Sequence, residues 1–253
     1  MKKSIFIILA FTIFCLTSCN NGQEKNYFEK FEYHNSFSYN PNGNVINFDY
    51  VFFLPSKEMN STVAKAIKDS VFKDLYFENI DFTVDNYKDV IDQYIKIFVD
   101  TTFKTDDIYL TDFDYEYYFF KADSLYFLNE EIIGKNFYME YYTGGAHGMY
   151  SYYYTYFDAN TGIVYDYNNV FREKEKVLDM IIKRLNKMDE DEFLFDSNEI
   201  PQFELKPDTI VFVFNPYEVA SYAEGFVEVP FAFEEIKEYM NNNTPIYKYF
   251  NKK

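Results

Sequence analysis

Tryptophan, cysteine, histidine and glycine are all scarce in this chain, and each shortage removes a class of chemistry. There is no Trp, and two Cys, two His and eight Gly are spread over 253 residues. Cys15 and Cys19 both fall at the end of an apolar N-terminal run, so a processed chain keeps no pair for a disulfide and no thiol nucleophile. His34 and His147 lie far apart in sequence. Zinc takes three or four ligands, so carboxylates would have to do most of the work, and no metal or cofactor is expected. No Gly-x-Ser-x-Gly elbow, His-Glu-x-x-His pair or phosphate-binding glycine loop is present. Basic charge is short as well: 24 Lys and Arg face 41 Asp and Glu, for a net charge of −17. The balance becomes −19 without Lys2 and Lys3, since residues 1–18 hold no acid. Such a surface repels nucleic acid and anionic lipid and attracts cationic partners. The same charge keeps an aromatic-rich chain soluble.

What is present begins with an address. Lys2 and Lys3 precede an apolar stretch over residues 5–16, too short to span a bilayer comfortably and suited to the core of a signal peptide. It ends in Leu16-Thr17-Ser18-Cys19, which resembles a bacterial lipobox, with cleavage before Cys19 and lipid attached to it. The alternative is an ordinary signal peptide in which Cys19 is incidental. The expected location is the bacterial cell envelope, lipid-anchored on the periplasmic side or at the cell surface. An exported fold without disulfides must stand on its core, and 27 Tyr and 30 Phe supply the apolar area for one.

The organisation predicted is a signal peptide at 1–18, a polar tether at 19–32, an N-terminal α+β subdomain at 33–105 and a C-terminal domain at 106–253. Strands are expected at 33–39 and 45–54, around a turn. Helices follow at 56–77, with Met59, Val63, Ile67, Val71 and Leu75 recurring every fourth residue and Ala64 and Phe72 widening the stripe, and from Asp85-Asn86, with Tyr87, Val90, Ile91, Tyr94 and Phe98 on one face. Further strands are expected at 109–120, 124–132, 136–142, 149–157 and 163–165. A helix over 172–188 carries Val177, Leu178, Ile181, Ile182, Leu185 and Met188 on one face, and an acidic connection runs to Pro201. Strands at 203–205, 209–214 and 226–230 and a closing helix at 231–240 complete the chain. The fold class is α+β, a mostly antiparallel sheet with helices packed on one side, in two closely associated subdomains.

Three of the eight glycines fall within five residues, in Thr143-Gly144-Gly145-Ala146-His147-Gly148. The clustering implies a tightly shaped loop joining a hairpin, with His147 inside it. His147 there either fixes the loop through neighbouring backbone, contacts a ligand, or serves chemistry. Asp158-Ala159-Asn160-Thr161-Gly162 has the look of a calcium loop, but its twelfth position is Asn169 rather than a bidentate Glu, so it reads as a turn. In Pro216-Tyr217-Glu218, proline sets the turn, and Tyr217 either plugs the core or presents its hydroxyl. Glu218 and Glu224 are acidic neighbours that a hydrolase could use as a carboxylate pair, or plain surface residues. Tyr150, Tyr152, Tyr153, Tyr154 and Tyr156 alternate along one strand, so one set lies outside or at an interface.

Tyr142-Thr143-Gly144-Gly145-Ala146-His147-Gly148, Asp158, Thr161-Gly162, Val170-Phe171, Phe214-Asn215-Pro216-Tyr217-Glu218-Val219-Ala220 and Tyr222-Ala223-Glu224-Gly225 follow one another in order. Together, over roughly residues 125–240, they resemble the extracytoplasmic domain of RsiV-type anti-sigma factors. That domain also accompanies PdaC-type peptidoglycan deacetylases and occurs in bacterial lipoproteins. Residues 36–105 resemble the smaller domain that usually precedes it. The resemblance implies an α+β domain that works by binding; the anti-sigma version recognises lysozyme. This chain departs from that version in having neither an internal transmembrane helix nor a cytoplasmic segment for a sigma factor, and no deacetylase catalytic stretch. The implied function is a non-catalytic envelope lipoprotein. Its recognition surface would comprise Gly144, Gly145, His147 and Gly148 with Tyr217, Glu218, Tyr222 and Glu224. Its partner would be a cationic protein such as lysozyme, or cell-wall glycan. The alternatives are a hydrolase of peptidoglycan or its fragments, acting through His147 and nearby carboxylates, and a structural envelope lipoprotein.

Overall fold

A computed structural model describes residues 26–38, 45–76, 86–103, 116–188 and 201–251. The signal run, Cys19, the turn after the first strand, Asp85, the stretch 109–115 and most of the acidic connection lie outside the described residues.

Two strands of strict alternation open the fold, β1 (Phe28–Ser38) and β2 (Val45–Pro55). In β2, Ile46, Phe48, Tyr50, Phe52 and Leu54 all point to one face and are buried. β1 begins at Phe28, so the last five residues of the expected tether are strand, paired with Val51–Pro55. Two helices follow, α1 (Ser61–Leu75) and α2 (Tyr87–Thr102). Asn60 caps α1, accepting from the amides of Thr62 and Val63. Its buried stripe is the expected one, Val63, Ile67, Val71, Phe72 and Leu75, with Ala64 partly buried beside it. α2 sits slightly rotated from expectation: Ile91, Ile95 and Val99 are deepest, and the rings of Tyr87, Tyr94 and Phe98 flank them.

β3 (Tyr117–Phe127), β4 (Ile132–Tyr142), β5 (Met149–Asp158) and β6 (Val164–Tyr165) then complete a six-stranded sheet in sequence order. Every pair is antiparallel except β2 with β3, which is parallel. Two strands were expected over 109–132. Instead β3 runs unbroken through Ser124, and a tight turn at residues 128–131, held by Asn129 Oδ1 on the amides of Glu131 and Ile132, separates it from β4.

One turn of helix, α3 (Tyr167–Val170), occupies the expected loop, capped by Asp166 and Asn169 reciprocally. α4 (Lys174–Met188) buries Val177, Ile181 and Leu185 of the expected face; Leu178 and Ile182 are half-buried at its edge and Met188, in the last turn, is exposed. β7 (Gln202–Lys206), β8 (Thr209–Phe214) and β9 (Val227–Ala232) make a second, three-stranded antiparallel sheet. The closing helix is shorter than expected, α5 (Phe233–Ile236) continued by a 3₁₀ turn, and a further helix, α6 (Pro245–Asn251), follows it.

The large sheet has two covered faces. α1 and α2 pack on one, with Phe48, Phe52, Phe137 and Phe157. The second sheet packs on the other, where the Tyr156 and Phe203 rings stack at 5.7 Å and the Tyr156 hydroxyl accepts from the Leu205 amide at 2.8 Å. The protein is therefore α+β, with a mostly antiparallel sheet. Its apolar cores divide across the large sheet, and the β2–β3 pairing carries that sheet past residue 105, where a subdomain boundary was expected. Polar groups cross the first core too. Lys135 is fully buried, bonded to Asp74 and to Ser70 Oγ at 2.6 Å, which ties β4 to α1. Among the described residues, no helix is long and apolar enough to cross a membrane.

Candidate functional site

The glycine loop joins β4 to β5, whose ladder closes at Tyr141 and Met149. Gly144 and Gly145 take φ of +97° and +95°, left-handed backbone that a side chain would strain. The Tyr142 hydroxyl reaches across to the Gly145 carbonyl at 3.0 Å and holds the loop shut. His147 Nδ1 lies 2.9 Å from the Gly148 carbonyl. A carbonyl only accepts, so Nδ1 carries a proton and Nε2 faces the Tyr217 hydroxyl at 3.4 Å. The imidazole stacks on Tyr222, centroids 3.7 Å apart and planes within 16°.

Tyr217 and Tyr222 come from the segment between β8 and β9, seventy or more residues away in sequence. Glu218 shapes that segment. Its carboxylate accepts from the Asn215 backbone amide at 2.7 Å and from Asn215 Nδ2 at 3.0 Å. That leaves Asn215 Oδ1 to accept from the Tyr152 amide at 2.7 Å, which fastens the segment to β5. Val219 takes the core position, and Tyr217 does not plug the core: it is 59% exposed and sits at φ +72°. A bulky side chain in left-handed backbone stores strain, and such strain collects at functional sites. Glu224 is exposed on the 3₁₀ turn that carries Tyr222.

The structure thus brings together His147, Tyr217 and Tyr222, makes Glu218 a brace, and leaves Glu224 at the rim. His34 lies elsewhere, on β1, 2.6 Å from Asp49. Asp158 forms the predicted turn, its Oδ1 accepting from the amides of Asn160 and Thr161. Among the described residues, no three His, Cys, Asp or Glu side chains gather as a metal would need.

Rings continue from the cluster across the sheet. Tyr222 meets Tyr150, Tyr150 meets Phe226, Phe226 meets Tyr152 and Tyr152 meets Tyr138, all with centroids within 5.5 Å. Of the alternating tyrosines on β5, Tyr153 is the exposed one, and Tyr150, Tyr152, Tyr154 and Tyr156 turn towards the second sheet. At the end of the row Glu140 accepts from the Tyr118 hydroxyl at 2.6 Å and the Tyr138 hydroxyl at 2.8 Å. Burial first, and then this carboxylate, push both phenols well above their ordinary range, so they stay donors at any working pH. The Tyr118 hydroxyl also lies 3.4 Å from where a side chain at Gly148 would begin. Tyr118, Tyr138 and Glu140 were absent from the expected site. Alternation along 138–142 put Tyr138 and Glu140 on one face, but only the β3–β4 register brings Tyr118 to them. Chemically, the surface offers ring faces, a carboxylate with spare lone pairs and an imidazole. Sugars and cationic side chains both fit that set.

Residues 168–234 match the sequence model of a family described as "Protein of unknown function (DUF3298)". That stretch is similar to the DUF3298 family over about a quarter of the chain. That stretch spans α4, the second sheet and the Tyr217–Tyr222 segment, while the glycine loop lies before it. Two solved structures share the fold. A DUF3298 family member from Bacteroides fragilis NCTC 9343 superposes with a TM-score of 0.71 at 18% identity, covering 89% of this chain and 97% of that one. A DUF3298 family protein from Pseudomonas aeruginosa PAO1 gives 0.59 at 12% identity, covering 87% and 95%. No curated protein matches this sequence. The DUF3298 likeness to these two structures therefore extends well beyond the matched stretch, over the large sheet and its helices.

Proposed function

We propose that this protein is a lipid-anchored cell-envelope protein that recognises a ligand without transforming it, through the surface around His147, Tyr217 and Tyr222. The observation that carries the reading is Tyr217: an exposed ring held in left-handed backbone beside a stacked histidine serves contact with something outside the fold. His147 spends its ring nitrogens on a backbone carbonyl and a tyrosine hydroxyl, and among the described residues no carboxylate orients it as a general base would require. Glu218, the nearest acid in sequence to Tyr217, is occupied in bracing the turn. The ligand classes are a cationic protein of the lysozyme kind, favoured by the acidic net charge and Glu140, and cell-wall glycan, favoured by the ring faces. The RsiV-like motifs support the envelope setting and the first ligand class.

The test is calorimetry of the mature chain, residues 20–253, against a lysozyme and against soluble peptidoglycan fragments, each at two salt concentrations. A lysozyme complex that weakens with salt supports the protein partner; salt-insensitive binding of fragments supports the glycan. In either case Tyr217→Ala should weaken binding at least about tenfold, a loss typical of a central aromatic contact. Absence of heat with both, or binding indifferent to Tyr217→Ala, would sink the proposal.

A further inference from the structure

The face of the large sheet away from Tyr138 and Glu140 is the one that α1 and α2 cover. Between the end of α1, α2 and the strands lies a cavity of about 490 Å³, within the range of ligand pockets. Its walls are Tyr50, Phe119 and Tyr141 from three adjacent strands, and Tyr94 and Phe98 from α2. One wall residue carries a charge. Lys121, 3% exposed, lines the cavity from the middle of β3.

Its ammonium is poorly provided for. It donates at 3.3 Å to the Leu75 carbonyl and at 3.5 Å to the Asp74 carbonyl, long contacts with the C-terminal end of α1. The Tyr76 ring covers it at 4.0 Å, and the Tyr50 ring stands at 5.4 Å. The carboxylate that faces it, Asp74, is already bonded to Lys135, a second and fully buried ammonium. Asp123, the other buried acid of this core, is held protonated by burial up to about pH 8 and adds no charge at neutral pH, so two buried ammoniums share one anion, a deficit that the interior penalises. An entering anion would make up the deficit, and the surrounding rings would bury whatever apolar body it carried.

We propose that this cavity binds an organic anion with an apolar body, an alkyl or aryl carboxylate, whose acidic group pairs with Lys121. The site is separate from the surface around His147, so its failure would leave that reading untouched.

Calorimetry of the mature chain with decanoate, and with decanol as the uncharged control, tests it. Decanoate should bind one to one and at least about tenfold more tightly than decanol, the worth of one partly buried ion pair. Lys121→Met should remove that preference and leave decanol binding unchanged. A pH series adds an independent readout. Burial pushes the Lys121 ammonium down to about 7, against the pull of Asp74. The other polar groups facing it are the hydroxyls of Tyr50 on β2, Tyr76 after α1, Tyr94 on α2 and Tyr141 on β4. Decanoate stays ionised throughout, so its affinity should fall about fivefold from pH 6 to pH 8.5 as Lys121 loses its proton. Should Lys121→Met fail to fold by circular dichroism, Met139→Trp, which fills the cavity from β4 and keeps the lysine, should abolish binding of both probes. No binding of decanoate by the unaltered protein, equal affinity in a folded Lys121→Met, or full binding by Met139→Trp would each overturn the proposal.

Discussion

Asp123 stands in the first core on the helix-facing side of β3, 6% exposed, and replacing it with Asn should make the protein more stable at alkaline pH. Its Oδ1 accepts from the Phe53 amide at 2.8 Å, while Oδ2 is buried without a hydrogen-bond partner. Burial drives the carboxyl up to about 8; the Phe53 amide and the charge of Lys135 pull it down, and Asp74 adds to the rise. In the unfolded chain the same group ionises near 4. Between those values the unfolded chain binds fewer protons than the folded one, so this group's contribution is complete below about pH 4 and is lost as pH climbs through about 8. Four units correspond to a ceiling of about 5 kcal/mol at ~1.4 kcal/mol per unit, which relaxation around the site should roughly halve. Asp123→Asn keeps an acceptor for Phe53 and cannot ionise. Urea denaturation of both proteins at pH 5 and pH 8.5 isolates the effect, since the other acids cancel in the comparison. The variant should gain about 2 kcal/mol relative to the unaltered protein between the two pH values. A difference that stays constant with pH would refute the buried, proton-holding carboxyl.

Other perturbations probe the loop, the brace and the buried pair. Gly145→Ala meets no atom within 4 Å but must adopt φ +95°, so thermal melting should show a loss of about 1 kcal/mol from backbone strain alone. Gly148→Ala should cost more, because its Cβ would sit 2.9 Å from the Tyr141 carbonyl; equal losses would discount the crowding. Glu218→Ala removes both bonds that the carboxylate makes to Asn215, leaving only the Tyr152 amide to hold that side chain, and chemical denaturation should record a loss of about 1–3 kcal/mol. A neutral result would mean that solvent replaces the brace. Asp74→Ala leaves the buried Lys135 ammonium without its ion partner at a cost of about 3–5 kcal/mol, much of which Asp74→Leu combined with Lys135→Met should recover.

Local periodicity made most elements legible. The stripes of α1 and α4, the alternation of β2 and the hairpin around the glycine loop could be read because each buries a single face. Partnership between strands could not. Nothing local in Val45–Pro55 announces a parallel neighbour sixty residues on, and without it the boundary near residue 105 looked natural. The candidate site was legible in its two segments, since glycine clustering and the Pro-Tyr turn leave traces in composition. The direction in which Tyr217 points depends on Val219 taking the core position beneath it, and the Glu140 clasp depends on register. The cavity beside Lys121 left no trace, because a gap between helices belongs to no single segment.

The parallel pairing of β2 with β3 has a consequence for how the chain could be taken apart. A cut within the crossover, near residue 105, would leave β1, β2, α1 and α2 in one piece and β3 onward in the other. Each piece would end in a raw strand edge, Ile46–Val51 in the first and Tyr117–Ala122 in the second, and unpaired edges seek partners. The two edges are mates by construction, with the Phe48 and Phe119 rings stacked across them at 5.2 Å. The halves should therefore aggregate when made alone and reconstitute one another when made together, as a split protein does.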